Sequence, residues 1–192
     1  MLRKTTIAIL TSMLAMSTAA SAQAPGQPGY KRAQLGKFAS AFVTVQAQYG
    51  SNIIAGTLES ALRKSRDYVR GDSLPIPDEV REALVPFYPE EMLKTVRYAI
   101  GDTSPDGLAG FAIRNGNAAA VTLIDTVVFK DEGYVRNIAL WSHELRHVEQ
   151  YREWGALGFA SRYAFGWQQV EADAEAKAAE FVSWYKKRMG IE

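Results

Sequence analysis

The two histidines of this 192-residue chain, His143 and His147, stand four positions apart, and Glu144 directly follows the first. This HExxH arrangement constrains the fold strongly, because residues four apart share one face of an α-helix and can reach a common point. It is typical of mononuclear zinc sites in which the glutamate acts as a base beside the metal. We therefore predict a helix over residues 135–153, with His143 and His147 as zinc ligands and Glu144 as the catalytic base. The alternative is a pair of ordinary surface or core histidines.

A zinc site needs a third protein ligand, and the chain has no further histidine and no cysteine. The third ligand must then be an oxygen. The next predicted helix, residues 167–188, carries Glu171, Asp173 and Glu175 near its start. Acidic residues are also favoured there by the helix dipole, so the run taken alone fits a solvated acidic face equally well.

The N-terminus has the pattern of a secretory leader. Two basic residues precede a short apolar stretch, and Ala20-Ser21-Ala22 fits the recognition pattern of signal peptidase. We predict a signal peptide over residues 1–22, with cleavage after Ala24 as the alternative, and a periplasmic or secreted protein. The apolar stretch is shorter than the roughly 20 residues that an anchor needs, so no stable membrane anchor is expected.

Charge and composition narrow the range of partners. The whole chain has a formal net charge of +1, and removal of the leader with its two basic residues changes this to −1. A nearly neutral protein without a basic cluster gives no electrostatic reason to bind nucleic acid. A peptide or protein substrate suits the predicted site better, whereas the sequence does not indicate an oligomeric state.

Hydrophobic periodicity and turn signals predict one domain over residues 37–192, after a flexible arm at 23–36. The predicted helices are 37–49, 51–70, 78–84, a short turn at 89–91, 135–153 and 167–188; the predicted strands are 95–100, 111–114 and 120–130. A turn-rich connection is expected at 156–166. The fold class is α+β, mainly helical, with a small antiparallel sheet before the HExxH helix and a C-terminal helix that carries the third ligand.

The motif region resembles a known family. Residues 140–151 are similar to the HELxHVxQ core of zincin-type domains, above all the metallopeptidase domains in effectors of extracellular contractile injection systems. The similarity extends upstream to the strand at 122–129 and downstream to the Glu-Ala-Asp run at 171–173. It implies a zincin-like fold and zinc-dependent peptide hydrolysis.

The resemblance also implies roles for the acidic residues of the last helix. Gluzincins take their third zinc ligand from a glutamate on the helix after the motif, which corresponds to Glu171 here, with Asp173 and Glu175 in the second shell. Many related peptidases place the ligand glutamate at the position of Gln169, and glutamine is a poor zinc ligand. Either Glu171 is the ligand, or the acidic ligand is lost.

Two functional readings remain open. The first is an active peptidase in which the edge of the 121–129 strand pairs with an extended substrate. Tyr151, Tyr163 and Arg162 are candidates to stabilise the oxyanion, although a packing or surface role suits each of them better. The second is a catalytically inactive zincin-like module with a binding or structural role in the cell envelope. A helical interaction protein with a fortuitous motif is a third, weaker alternative.

Overall fold

The computed structural model describes residues 51–101, Ala109 and residues 118–191. The predicted leader, the arm, the helix at 37–49 and the strand at 111–114 lie outside the described residues. Within them, no helix is both long and apolar enough to cross a membrane.

The described residues confirm the α+β class and most of the predicted elements. Both short helices follow a proline, Pro77 and Pro89, whose restricted φ suits the residue that precedes a helix. In chain order the elements are α1 (Ser51–Arg70), β1 (Leu74–Pro75), α2 (Asp78–Leu84), α3 (Glu90–Thr95), β2 (Arg97–Ile100), β3 (Ala120–Leu123), β4 (Thr126–Phe129), a 3-10 turn (Glu132–Tyr134) and α4 (Ile138–Met189).

Helix α4 is divided by two glycines with non-helical backbone angles. Gly155 has φ 70° and ψ 166°, and Gly166 has φ −156° and ψ 38°. We call the resulting segments α4a (residues 138–154), α4b (156–165) and α4c (167–189). The predicted turn-rich connection at 156–166 is therefore wrong, because residues 156–165 are helical and only the flanking glycines break the helix. Alanines at every fourth position of α4b have high helix propensity.

The four-stranded sheet has the order β1-β2-β4-β3. β1 pairs with β2 and β3 pairs with β4 in antiparallel orientation, but β2 and β4 are parallel. The sheet is thus mixed rather than purely antiparallel as predicted. All four residues of β4 are buried, which suits a central strand that is covered on both faces.

The predicted single strand at 120–130 is a hairpin with its turn at Ile124 and Asp125. The Asp125 amide donates to the Leu123 carbonyl at 2.7 Å, and Ile124 has a φ of 61°. Arg66 of α1 binds both carboxylate oxygens of Asp125 at 2.7 and 2.8 Å. Periodicity could not reveal this turn, because it interrupts a continuous β-branched run and depends on a contact with a distant helix.

The sheet lies between α1 and α4a. The register puts Thr122, Val127 and Tyr98 on one face, and residues of this face pack against Trp141 and Leu145 of α4a. The opposite face packs against α1 through a second cluster that includes Leu62, Val69, Ala99, Leu123 and Val128. The Thr122 side chain therefore points toward the helix that carries the HExxH motif.

Candidate metal centre

The two histidines lie one turn apart on α4a. This helix begins at Asn137, whose side chain accepts a hydrogen bond from the Leu140 amide and so caps the helix. The Nε2 atoms of His143 and His147 are 3.2 Å apart, and the two rings are nearly perpendicular. His147 is buried and also contacts the ring of Phe159 edge-to-face. Both imidazoles thus present one nitrogen to the same point.

Glu171 of α4c completes a group of three donors. Its Oε2 atom lies 3.4 Å from Nε2 of His143, and its Oε1 atom lies 3.5 Å from Nε2 of His147. Segments α4a and α4c run in opposite directions, since Arg146 contacts Asp173 while Gln150, further along α4a, contacts the earlier Val170. The helical pair therefore brings together residues that are 24 positions apart in sequence.

The spacing of these donors fits a metal ion. Bond lengths of about 2.0–2.2 Å to nitrogen and oxygen in a tetrahedral site imply that ligand atoms lie about 3.3–3.6 Å from one another. The three separations in this group are 3.2, 3.4 and 3.5 Å. His143, His147 and Glu171 can therefore hold a metal ion, as the sequence predicted for this set.

The electrostatics of Glu171 suit a cation ligand. Burial opposes its ionisation, but hydrogen bonding to His143 and interactions with both histidines outweigh burial and lower the pKa of Glu171 to about 2. Tyr163 of α4b also interacts with this carboxyl group. Burial and the proximity of Glu171 raise the pKa of Tyr163 well above its usual value. At neutral pH the pair is thus a carboxylate and a protonated phenol that can donate to it.

Glu144 is buried beside the histidines and is supported from the sheet. The Thr122 hydroxyl donates to Oε2 of Glu144 at 2.7 Å and is also 3.2 Å from its backbone carbonyl. Thr122 comes from β3, whose register turns this side chain toward α4a. Sequence reasoning missed Thr122, because only the pairing of β3 with β4 decides which of its side chains face the motif.

Gln150 is a second residue that sequence reasoning missed as part of the site. It is fully buried, and its Oε1 atom is 2.8 Å from Nδ1 of His147. Its Nε2 atom donates to the Val170 carbonyl at 3.1 Å and to the Asp173 carboxylate at 2.9 Å. A signal was present, since Gln150 lies three residues after His147 on a helix, a spacing at which side chains meet.

Asp173 and Glu175, which were predicted to lie behind the metal ligands, differ in their relation to the candidate metal centre. Asp173 contacts Gln150 and Arg146, so it reaches His147 through Gln150. Glu175 is exposed one turn beyond Glu171, and its role stays a prediction. Gln169 is exposed and is not part of the donor group.

Of the three proposed oxyanion donors, only Tyr163 has an interaction with a member of the donor group among the described contacts. The Tyr151 hydroxyl lies 3.4 Å from the Thr122 carbonyl, and its ring stacks on Phe159. The Arg162 guanidinium lies over the ring of Trp154, 4.6 Å from its centroid. Tyr151 thus has a packing role.

Comparison with known families relates this region to contractile injection system proteins. Residues 75–155 match the family model of the eCIS core domain, in which eCIS stands for extracellular contractile injection system. The matched segment contains the sheet and α4a, including His143, Glu144 and His147, and it ends before Glu171. No curated protein and no solved structure matched the chain.

Proposed function

We propose that this protein is an exported, zinc-dependent peptidase of the zincin-like type. The observation that carries the proposal is the cluster of His143, His147 and Glu171 at mutual distances of 3.2 to 3.5 Å, with the buried Glu144 beside it. Two nitrogens and one oxygen on a rigid helical pair are the ligand set of catalytic zinc sites that keep a fourth position for water. The predicted leader supports a location beyond the cytoplasmic membrane.

In the proposed reaction Glu144, Thr122 and Tyr163 each have a separate role. A zinc ion at this site would lower the pKa of a water molecule toward about 7 and polarise the scissile carbonyl. Glu144 takes the proton of the attacking water and passes it to the leaving amine. The Thr122 hydroxyl holds Oε2 of Glu144, which leaves Oε1 for the proton transfer. Tyr163 keeps Glu171 in place as a hydrogen-bond donor.

The edge of β3 suits an extended substrate. Among the described residues β3 is the last strand in the sheet order, and the Lys130 amide donates to the Ala119 carbonyl. Because hydrogen-bonding direction alternates along an antiparallel strand, the backbone groups of Ala120 and Thr122 face away from β4. A peptide that pairs with this edge through Ala120 would run beside Glu144, which Thr122 contacts directly. The Thr122 carbonyl is already 3.4 Å from the Tyr151 hydroxyl.

The proposal is tested with a peptide library and three forms of the mature protein. Glu144→Gln should bind zinc as the wild type does but lose hydrolysis by a factor of about 10² or more, since only the base is deleted. Glu82→Gln, an exposed position on α2, is the control and should hydrolyse peptides at the wild-type rate. A chelator should abolish hydrolysis, and zinc should restore it. Hydrolysis by Glu144→Gln at the wild-type rate would contradict the mechanism.

The second candidate function is a metal-holding module without peptidase activity. It is supported by the match of residues 75–155 to the eCIS core domain, which fits a structural module of the cell envelope. In that case the wild type would bind zinc but hydrolyse no peptide of the library. The same experiment therefore separates the two candidates.

A further inference from the structure

Gln150 connects the two helical segments of the metal centre. It lies on α4a, one turn beyond His147, and is fully buried. Its side-chain amide nitrogen has two hydrogen atoms, and both have acceptors on α4c: the Val170 carbonyl at 3.1 Å and Asp173 Oδ2 at 2.9 Å. The amide oxygen faces Nδ1 of His147 at 2.8 Å.

These contacts determine the orientation of the amide. If the oxygen and the nitrogen of Gln150 exchanged places, the oxygen would face a carbonyl and a carboxylate, neither of which can donate a hydrogen bond. The nitrogen must therefore face α4c, and the oxygen must face His147. Because the Gln150 oxygen can only accept a hydrogen bond, Nδ1 of His147 must carry a hydrogen. The neutral ring of His147 then has its lone pair on Nε2. That nitrogen is the atom directed at His143 and Glu171.

The contacts of Asp173 extend this connection. One oxygen of its carboxylate, Oδ2, accepts hydrogen bonds from Gln150 and, at 2.7 Å, from Nε of Arg146. Arg146 in turn binds Glu153 on its own segment at 2.6 Å. The chain of contacts Arg146–Asp173–Gln150–His147 thus crosses between α4a and α4c twice. It ends at His147, which is one of the two histidines that Glu171 meets.

We propose that Gln150 is a positioning residue that fixes His147 in the Nδ1–H tautomer and couples this tautomer to the docking of the segment that carries Glu171. The inference rests on the proposed metal site for its functional meaning. Orientation of His147 and placement of Glu171 are then coupled, because both protein acceptors of the Gln150 amide nitrogen lie on α4c. A ligand pair that is oriented before the metal arrives binds it more tightly.

The tautomer is measured first, in the zinc-free protein, by long-range ¹H–¹⁵N correlation spectra of the imidazole nitrogens. Wild-type His147 should show a protonated Nδ1 and an unprotonated Nε2. Gln150→Leu should lose this preference and give a mixture of tautomers. Gln150→Met, whose shape is closer to glutamine, provides the same test if the leucine variant does not fold. A wild-type protein with the hydrogen on Nε2 would overturn the proposal.

Zinc affinity is measured next, by competition with a chromogenic chelator. Gln150→Leu and Gln150→Met should bind zinc about 10- to 100-fold more weakly than the wild type, as is usual when an outer partner of a ligand histidine is lost. Gln169→Leu changes an exposed glutamine of α4c and should leave both the tautomer and the affinity unchanged. Unchanged affinity in the Gln150 variants would refute the coupling. If the wild type bound no zinc, the proposed function would fail, whereas the tautomer measurement would still decide the role of Gln150.

Discussion

Glu171 and Gln169 are two positions apart on α4c, and they lie in different environments. Glu171 is largely buried and faces both histidines, whereas Gln169 is exposed. A separation of two residues corresponds to about 200° around a helix, so the two side chains cannot serve the same metal. The residue that supplies the third donor is therefore defined by the face of α4c that packs against α4a.

Substitution of Glu171 should weaken zinc binding, whereas substitution of Gln169 should not change it. Glu171→Ala should weaken zinc affinity by more than about 100-fold, exceeding the loss expected for an outer partner. Helix content should not change, because alanine is the better helix former. Gln169→Glu should leave the affinity as it is. Chelator competition and circular dichroism test both variants; a silent Glu171→Ala with tighter binding by Gln169→Glu would assign the ligand to position 169.

At the scale of residues, the sequence was most informative where the chemistry is local. The spacing of His143 and His147 lies within one helix, so the motif alone predicts their convergence. Thr122 and Gln150 support Glu144 and His147, but their contacts depend on strand register and on the docking of α4c. Such partners can be recognised only after the tertiary arrangement is known.

Between elements, the turn from β3 to β4 is held to α1 by charge. Asp125 binds Arg66 through both carboxylate oxygens and Arg70 through Oδ1 at 3.0 Å. Burial opposes ionisation, but hydrogen bonding to Arg66 and the charges of both arginines outweigh burial and lower the pKa of Asp125 below its ordinary 3.8. The turn includes Ile124 at a positive φ, a conformation that a β-branched residue rarely adopts.

Asp125→Asn should lower the free energy of unfolding by about 1–3 kcal/mol at neutral pH, because hydrogen bonds to a charged group are lost. Since the folded pKa of Asp125 is depressed, its contribution is complete above pH 3.8 and is lost as the pH falls below that value. Urea unfolding should thus show a smaller difference between variant and wild type in acid. Asp67→Asn, which removes an exposed partner of Arg66, is the control and should cost less than about 0.5 kcal/mol. Equal losses in both variants would contradict this role for Asp125.

At the scale of elements, the helices were easier to predict than the sheet. The bounds of α1 and α2 agree with prolines, glycines and helical periodicity that the sequence displays. The parallel pairing of β2 and β4 was missed, because the hairpin turn within 120–130 has little local signal. The helical character of α4b was missed, since the glycines in and around it have low helix propensity, whereas the breaks are confined to Gly155 and Gly166.

In the molecule as a whole, the candidate metal centre lies between α4a and α4c, two segments that are also joined by the contacts of Gln150 and Arg146. α4a packs on the sheet and contacts β3 through Glu144, and Glu171 of the antiparallel segment α4c meets the histidines of α4a. The eCIS core match covers the sheet and α4a but not α4c. The third donor, Glu171, therefore comes from outside the matched segment. The candidate metal site needs both the matched segment, which holds the histidines, and α4c.

The proposed site requires that His143, His147 and Glu171 together hold one zinc ion. Elemental analysis with X-ray absorption at the zinc edge, on the purified mature protein and on His143→Ala and His147→Ala, tests it most directly. We expect one zinc per chain, with two imidazole nitrogens and a carboxylate oxygen at about 2.0–2.2 Å, and loss of stoichiometric zinc in both variants. Absence of zinc from the wild type after reconstitution, or stoichiometric zinc in both variants, would contradict the account.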